Sequence, residues 1–165
     1  AVQLVDGNDI NYKDGSMGYI TTDEWTFISG RPYSWTLAGD ARTFGVMLTT
    51  AGLAEIKTYA DGIGPWKPEV VAHSVVPYKE GAGLKDVNTL KDTGLIDAAH
   101  KAGLIVHSFT FRNEAGRLAG IYKGDPVAEY LTYYRLGIDG VFTDFTPTGL
   151  KARDAYKKEL GVVVF

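Results

Sequence analysis

The sequence predicts an α/β protein in which helices lie outside a parallel β-sheet. Short apolar runs alternate along the chain with amphipathic stretches of helical periodicity. A helix, a glycine and a buried strand follow one another twice, at residues 101–106 and 135–141. The composition, with 45% hydrophobic and 22% charged residues among 165, is that of an ordinary globular domain. Because parallel strands are usually joined through crossover helices, this alternation favours a parallel sheet.

Four short runs are the predicted strands. They are apolar or rich in β-branched residues, and they cover residues 2–5, 62–64, 104–109 and 137–142. The Gly-Ile-Gly run is weak by itself, and its place in the alternation supports it.

Four helices are predicted around these strands. In residues 51–60 and 94–102 the apolar side chains recur along one helical stripe, and Gly103 follows the second where a glycine commonly ends a helix. The dipeptides Asp125-Pro126 and Thr146-Pro147 have the sequence of a helix start, an N-cap residue before a proline.

Two stretches interrupt the alternation. Residues 6–50 are rich in glycine, tryptophan and tyrosine, and we interpret them as a long excursion after the first strand that is packed by its aromatic side chains. Residues 77–94 form a second, shorter predicted loop. Loops of this length in a small domain are usually functional.

The composition excludes several classes of function. The 17 Lys and Arg residues balance 20 Asp and Glu residues without a basic cluster, which argues against a nucleic-acid surface. No apolar run approaches the roughly 20 residues of a membrane span, and we expect neither a membrane helix nor a signal peptide. With no cysteine there is no disulfide, no thiolate nucleophile and no cysteine metal site.

The acidic and amide residues near the start of the chain resemble a calcium loop at first sight. They are Asp6, Asn8, Asp9, Asn11 and Asp14. Their order lacks the glycine at loop position six and the glutamate at position twelve that such a loop requires. We therefore interpret them as turn-forming residues.

Three segments carry a family resemblance. They read Tyr-Ala-Asp-Gly-Ile-Gly-Pro at residues 59–65, Ala-His-Lys-Ala-Gly-Leu-Ile-Val-His-Ser-Phe-Thr-Phe-Arg at 99–112, and Gly-Ile-Asp-Gly-Val-Phe-Thr-Asp-Phe at 137–145. Together with Val-Gln-Leu-Val at 2–5, they resemble the last four strand segments of the glycerophosphodiester phosphodiesterase family. That family has a TIM-type (β/α)8 barrel. The resemblance implies that residues 1–165 are a single partial domain, the C-terminal half of the barrel with strands five to eight, and that residues 6–50 are an inserted loop region.

The same resemblance implies that the catalytic groups lie in a missing N-terminal half. A complete barrel takes about 250 residues, and the family's His-Arg-Gly and Glu-x-Asp segments are absent here. The Glu-Ile-Lys letters at residues 55–57 lie inside a helical pattern, so we reject them as the family's Glu-x-Lys site. We expect the divalent metal of the family, calcium or magnesium, to find its ligands in the missing half.

Four residues are predicted to line the substrate pocket. Phe109 and Phe142 end the third and fourth strands, and aromatic side chains there either line the pocket or fill the barrel core. His107 shares a strand face with Phe109, and the alternative is a hydrogen-bonded buried histidine. Gln3 lies on the first strand, and a polar residue in a barrel wall usually has a partner.

Other polar residues are given structural roles. Arg112 could hold a phosphate, but its charged loop favours a surface role. Asp144 precedes the last helix and is interpreted as a helix cap. His73 and His100 lack a second ligand at metal spacing, so neither is assigned as a ligand.

The predicted function is therefore part of a hydrolase that cleaves glycerophosphodiesters into an alcohol and glycerol 3-phosphate. A non-catalytic half-barrel that binds a partner, and a phospholipase like sphingomyelinase D, remain the alternatives. The partners expected are the small glycerophosphodiester and either the N-terminal half or a second chain. Without strands one to four, the inward faces, including Val106 and Val141 or their neighbours, lose their covering. The family weakly favours a secreted or periplasmic location.

Overall fold

A computed structural model describes residues 1–6, 30–77 and 79–162, and it confirms the α/β class with a parallel sheet. The six strands are β1 (Val2–Val5), β2 (Gly62–Pro65), β3 (Val71–Ser74), β4 (Thr89–Asp92), β5 (Ile105–Phe111) and β6 (Gly140–Thr143). Strands β1, β2, β5 and β6 form one parallel sheet in that order. All four predicted strands are present, with their ends shifted by a few residues.

Seven α-helices connect and cover the strands in the described part of the chain. They are α1 (Tyr33–Leu37), α2 (Phe44–Met47), α3 (Thr50–Lys57), α4 (Lys67–Val70), α5 (Leu95–Lys101), α6 (Pro126–Arg135) and α7 (Thr146–Glu159). The four predicted helices are α3, α5, α6 and α7. Asp125 caps α6 as expected, since its carboxylate accepts a hydrogen bond from the Val127 amide at 2.9 Å.

The two interpreted loops contain regular structure. Helices α1 and α2 lie within residues 30–50, whereas residues 7–29, which hold Asn8, Asp9, Asn11 and Asp14, lie outside the described residues. The prediction of a loop over residues 77–94 is wrong in part, because β4 pairs antiparallel with β3 there. Strand β4 reads Thr-Leu-Lys-Asp, a largely exposed and polar edge whose pairing depends on backbone hydrogen bonds.

The core lies between the main sheet and its helices. Val5, Ile63 and Val106 are fully buried on the helix-facing side of the sheet. On the opposite side, Leu4 is 54% exposed and Phe142 is 43% exposed. Within the described residues the sheet is therefore covered on one side only, and β1 and β6 are its two edges.

The uncovered side of the sheet, which we call the open face, carries the neighbours of Val106 and Val141. Val106 and Val141 contribute to the core beneath the helices, while Ile105, which is 40% exposed, and Phe142 lie on the open face. Among the described helices, none is both long and apolar enough to cross a membrane.

Candidate active-site wall

The open face of the sheet is built from rows of side chains that lie at equal heights on neighbouring strands. Leu4 is in register with Gly64, and His107 is in register with Gly140. We call this set, Leu4, Gly64, His107 and Gly140, the inner row. Two residues further toward the carboxyl ends of the strands, the backbones of Trp66 and Phe109 pair in an isolated parallel β-bridge. Active sites of α/β barrels lie at these carboxyl ends.

Two of the predicted pocket residues, His107 and Phe142, are brought together on adjacent strands. Their rings meet edge to face with centroids 6.1 Å apart and an angle of 74° between the ring planes. The imidazole lies over Gly140, where a Cβ atom would fall 2.7 Å from ring atoms Cδ2 and Nε2. Glycine at position 140 therefore gives the histidine its space on the open face.

Phe109 lies at the carboxyl end of the open face, next to Trp66. It is partly exposed, and the register between β5 and β6 shifts between Ser108 and Phe111. Trp66 was not predicted as a site residue. Its position in the sequence could have identified it, because Trp66 directly follows the Gly-Ile-Gly-Pro strand and therefore lies at the carboxyl end of that strand.

Gln3 is not brought together with the other predicted site residues. Alternation along β1 places Gln3 on the same side as the buried Val5, which is the helix-facing side. Its Oε1 accepts a hydrogen bond from the Tyr59 hydroxyl at 3.3 Å, and its Nε2 donates to the Leu4 carbonyl at 2.7 Å. Its polar atoms are thus satisfied outside the open face.

Arg112 lies past the end of β5 and is held by two carboxylates. Its Nη1 lies 2.7 Å from Asp144 Oδ2, and its Nε donates to Glu114 at 3.1 Å. The hydrogen bond from Arg112 lowers the pKa of Glu114 to about 2. Asp144 is therefore an ion-pair partner and not the helix cap that the sequence suggested, since Phe145 occupies the cap position of α7.

A buried ion pair lies beneath the carboxyl end of β2. Lys67 Nζ is 2.7 Å from Glu129 Oε1 on α6, and the two side chains are 9% and 1% exposed. The ammonium also stands 5.2 Å from the Phe111 ring centre, and the Tyr133 hydroxyl donates to the Lys67 carbonyl at 3.0 Å. Burial raises the pKa of Glu129, while Lys67 opposes that rise. This pair was not predicted from the sequence.

Two further buried titratable groups lie on α4 and β3. Glu69 accepts a hydrogen bond from the Trp66 amide at 2.8 Å, and burial raises its pKa well above the ordinary value. His73 is buried on β3, and burial together with the charge of Lys67 lowers its pKa to about 4. His73 is therefore neutral at pH 7.

His100 has a partner at the opposite end of the sheet. Its Nε2 lies 2.8 Å from Asp139 Oδ2, which also accepts the Val106 amide at 2.8 Å. Partial burial alone would raise the pKa of Asp139, but these two hydrogen bonds lower it. Contacts at the amino ends of barrel strands serve stability.

The described residues do not fit a divalent metal ion. Among residues 1–6, 30–77 and 79–162, no three His, Asp or Glu side chains come together at metal-binding distance. Asp144 is paired with Arg112, and Glu129 is paired with Lys67. Calcium and magnesium require several free oxygen ligands in one place. We therefore derive no chemical step through a metal from this part of the protein.

A parallel sheet that helices cover on one side, with Trp66 and Phe109 bridged at its carboxyl end, is an α/β arrangement of the kind that the sequence predicted. The chain belongs to the glycerophosphoryl diester phosphodiesterase family, whose model matches residues 28–148. This confirms the resemblance seen in the sequence.

Curated relatives agree with this membership. The chain is 35% identical over 106 residues to glycerophosphodiester phosphodiesterase GDPD6 of Arabidopsis thaliana, across 64% of the chain and 26% of the relative. It is 36% identical over 119 residues to glycerophosphodiester phosphodiesterase GDPDL1 of the same plant, across 70% of the chain and 14% of the relative. It is also 34% identical over 119 residues to the Protein SUPPRESSOR OF NPR1-1 CONSTITUTIVE 4, across 9% of that protein. The matched stretch thus spans about a quarter or less of these relatives.

Proposed function

We propose that this chain is the C-terminal half of the barrel of a glycerophosphodiester phosphodiesterase and supplies one wall of its pocket. The observation that carries the proposal is the open, apolar face of a four-stranded parallel sheet whose edges are β1 and β6 in the described residues. An eight-stranded barrel contains twice this number of strands, so a second sheet of equal size would cover the face and pair with both edges.

The reaction proposed for the complete barrel is hydrolysis of a glycerophosphodiester. Water adds to phosphorus, the bond to the alcohol oxygen breaks, and the alcohol and glycerol 3-phosphate are released. This step needs a general acid, a general base and cationic stabilisation of the phosphoryl oxygens. The N-terminal half provides these groups and the metal in our proposal, and Phe109, Phe142 and His107 provide substrate contacts.

The test is reconstitution of the barrel from two chains. The chain is co-expressed with the segment that precedes the matched region in GDPD6, and release of glycerol 3-phosphate from glycerophosphocholine is measured in a coupled assay. We expect metal-dependent turnover from the two-chain barrel and none from the 165-residue chain alone. Turnover by the isolated chain contradicts the proposal.

Two other outcomes correspond to the alternative functions. Release of choline from sphingomyelin, with ceramide 1-phosphate as the other product and without glycerophosphocholine turnover, identifies a phospholipase of the sphingomyelinase D type. A stable two-chain complex that turns over neither substrate identifies a non-catalytic module. Both results refute the proposed reaction.

A further inference from the structure

The last helix, α7, has one side buried against the fold and the other side exposed. Gly149 and Ala152 are buried on the inward side, and the Tyr156 ring packs near Tyr134 of α6 with ring centres 5.6 Å apart. These three residues of α7 lie at positions i, i+3 and i+7, which is one stripe of a helix. The residues on the opposite stripe are therefore directed away from the core.

The exposed stripe of α7 is basic. Leu150, Lys151, Lys157 and Lys158 lie at positions i, i+1, i+7 and i+8, so they share the outward side of the helix. Lys151 and Lys158 are exposed, and Lys157 is partly exposed. We call these three lysines together with Leu150 the basic stripe. The lysines do not form one continuous run in the sequence, and the helix brings them onto one side.

The carboxylates of α7 do not neutralise the basic stripe, because arginines hold them. Arg153 Nη2 lies 2.8 Å from Asp154 Oδ1, and Arg135 Nη2 of α6 lies 2.6 Å from Glu159 Oε1. Within residues 1–6, 30–77 and 79–162, no carboxylate forms an ion pair with a lysine of the stripe. The whole chain has a net charge of -3, so the stripe is opposite in sign to the chain. Such a local positive field attracts an anionic surface to this side of the molecule.

Exposed apolar side chains accompany the lysines. Leu150 is 46% exposed within the stripe, and Leu160 and Val162, which follow the helix, are 61% and 49% exposed. At the surface of a bilayer, lysines contact anionic headgroups while neighbouring apolar side chains enter the boundary of the acyl chains. An acidic protein would use the lysines alone, so the exposed leucines and valine favour a bilayer as the partner.

We propose that the basic stripe docks the protein on a membrane surface that carries anionic phospholipids. The three lysines supply the electrostatic attraction, and Leu150, Leu160 and Val162 add apolar contact with the interface. Each lysine near an anionic membrane strengthens binding by about fivefold. The contact is peripheral, and salt weakens it because it is largely electrostatic. It does not depend on the reaction proposed above.

The test is co-sedimentation of the 165-residue chain with vesicles of two compositions. One contains phosphatidylcholine alone, and the other contains phosphatidylcholine mixed with phosphatidylserine. We expect at least about tenfold tighter binding to the anionic vesicles, and we expect this preference to be lost in about 0.5 M sodium chloride. Lys157→Gln together with Lys158→Gln should weaken binding to the anionic vesicles about 25-fold, and Lys151→Gln alone about fivefold.

The matched control is Lys85→Gln together with Lys91→Gln, which removes two exposed lysines outside α7 and changes the net charge equally. This variant should bind anionic vesicles as the parent chain does, and an equal loss in both double variants overturns the proposal. Equal binding to both vesicle compositions also overturns it, because adsorption through the apolar open face would explain that result. Retention on polyglutamate beads without binding to anionic vesicles overturns it in favour of an acidic protein partner.

Discussion

The buried ion pair between Lys67 and Glu129 makes a sharp prediction about stability. Lys67→Met keeps the length and apolar stem of the side chain and removes the ammonium that lies 2.7 Å from Glu129. Because the Glu129 side chain is only 1% exposed, water cannot replace the lost partner. Removing one member of a buried pair typically costs about 3–5 kcal/mol. We expect Lys67→Met to lose about 3 kcal/mol at pH 7.5, since Glu129 can take up a proton and limit the loss.

The sign of the pH dependence follows from the pKa of Glu129. Burial raises this pKa above its ordinary value of 4.5, and Lys67 holds the rise in check. Without Lys67 the pKa rises further, so the folded variant binds a proton that the unfolded chain has released. Its stability is therefore highest below about 4.5 and falls as the pH rises toward the folded pKa. The difference between the variant and the parent chain should shrink from pH 7.5 to pH 5.

The assay is urea unfolding followed by far-ultraviolet circular dichroism at both pH values. In the double variant with Lys67→Met and Glu129→Met, both charges are replaced by apolar groups, and stability should return to the parent value or exceed it. Arg135→Met is the matched control, because it breaks an exposed pair with Glu159 and should cost no more than about 1 kcal/mol. A Lys67→Met loss below about 1 kcal/mol at pH 7.5, or a double variant less stable than either single variant, would contradict this account of the buried pair.

Two further predictions follow from the open face. Phe109→Ala in the two-chain barrel should raise KM or lower kcat/KM while the free energy of unfolding changes by less than about 1 kcal/mol; a loss of about 3–5 kcal/mol would show instead that the ring belongs to the core. The isolated chain should self-associate, because Leu4, Ile105 and Phe142 remain uncovered on one side of a sheet with two unpaired edges in the described residues. Light scattering checks this, and a 17.9 kDa monomer that unfolds cooperatively would contradict the half-barrel topology.

The sequence predicted the elements that carry local signals. Strands with continuous apolar runs and helices with an N-cap, a proline or a terminal glycine were found in the right order. Residues 67–74 were missed because their pattern mixes charged and apolar side chains that are all buried. Lys67 and Glu69 look like surface residues in sequence. Their burial depends on partners elsewhere in the fold, and Glu129 is 62 positions away from Lys67.

Side-chain direction was only partly fixed by the sequence, which left the inward positions open between Val106, Val141 and their neighbours. In the structure Val106 and Val141 pack toward the core, while His107 and Phe142 meet edge to face on the open face. Strand β1 has four residues and apolar side chains at both phases, so nothing local decides which side Gln3 takes. The side that Gln3 takes is set by its hydrogen bond with Tyr59, which lies 56 residues away in the sequence. Asp144 shows the same limit, because its choice between capping α7 and pairing with Arg112 is made by tertiary structure.

The glycines of the open face explain why its central strand looked weak in sequence. A Cβ atom at Gly62 would lie 2.5 Å from Ile105 Cγ1 and 2.6 Å from the Ile105 carbonyl oxygen, and one at Gly64 would lie 2.6 Å from Leu4 Cδ2. The side chains of the neighbouring strands therefore cover β2, and only glycine fits beneath them. Glycine inside a strand commonly marks such a close approach. Gly140 leaves space in the same way for the imidazole of His107. The glycines that lower the strand propensity of β2 and β6 are therefore the residues that make room for side chains on the open face.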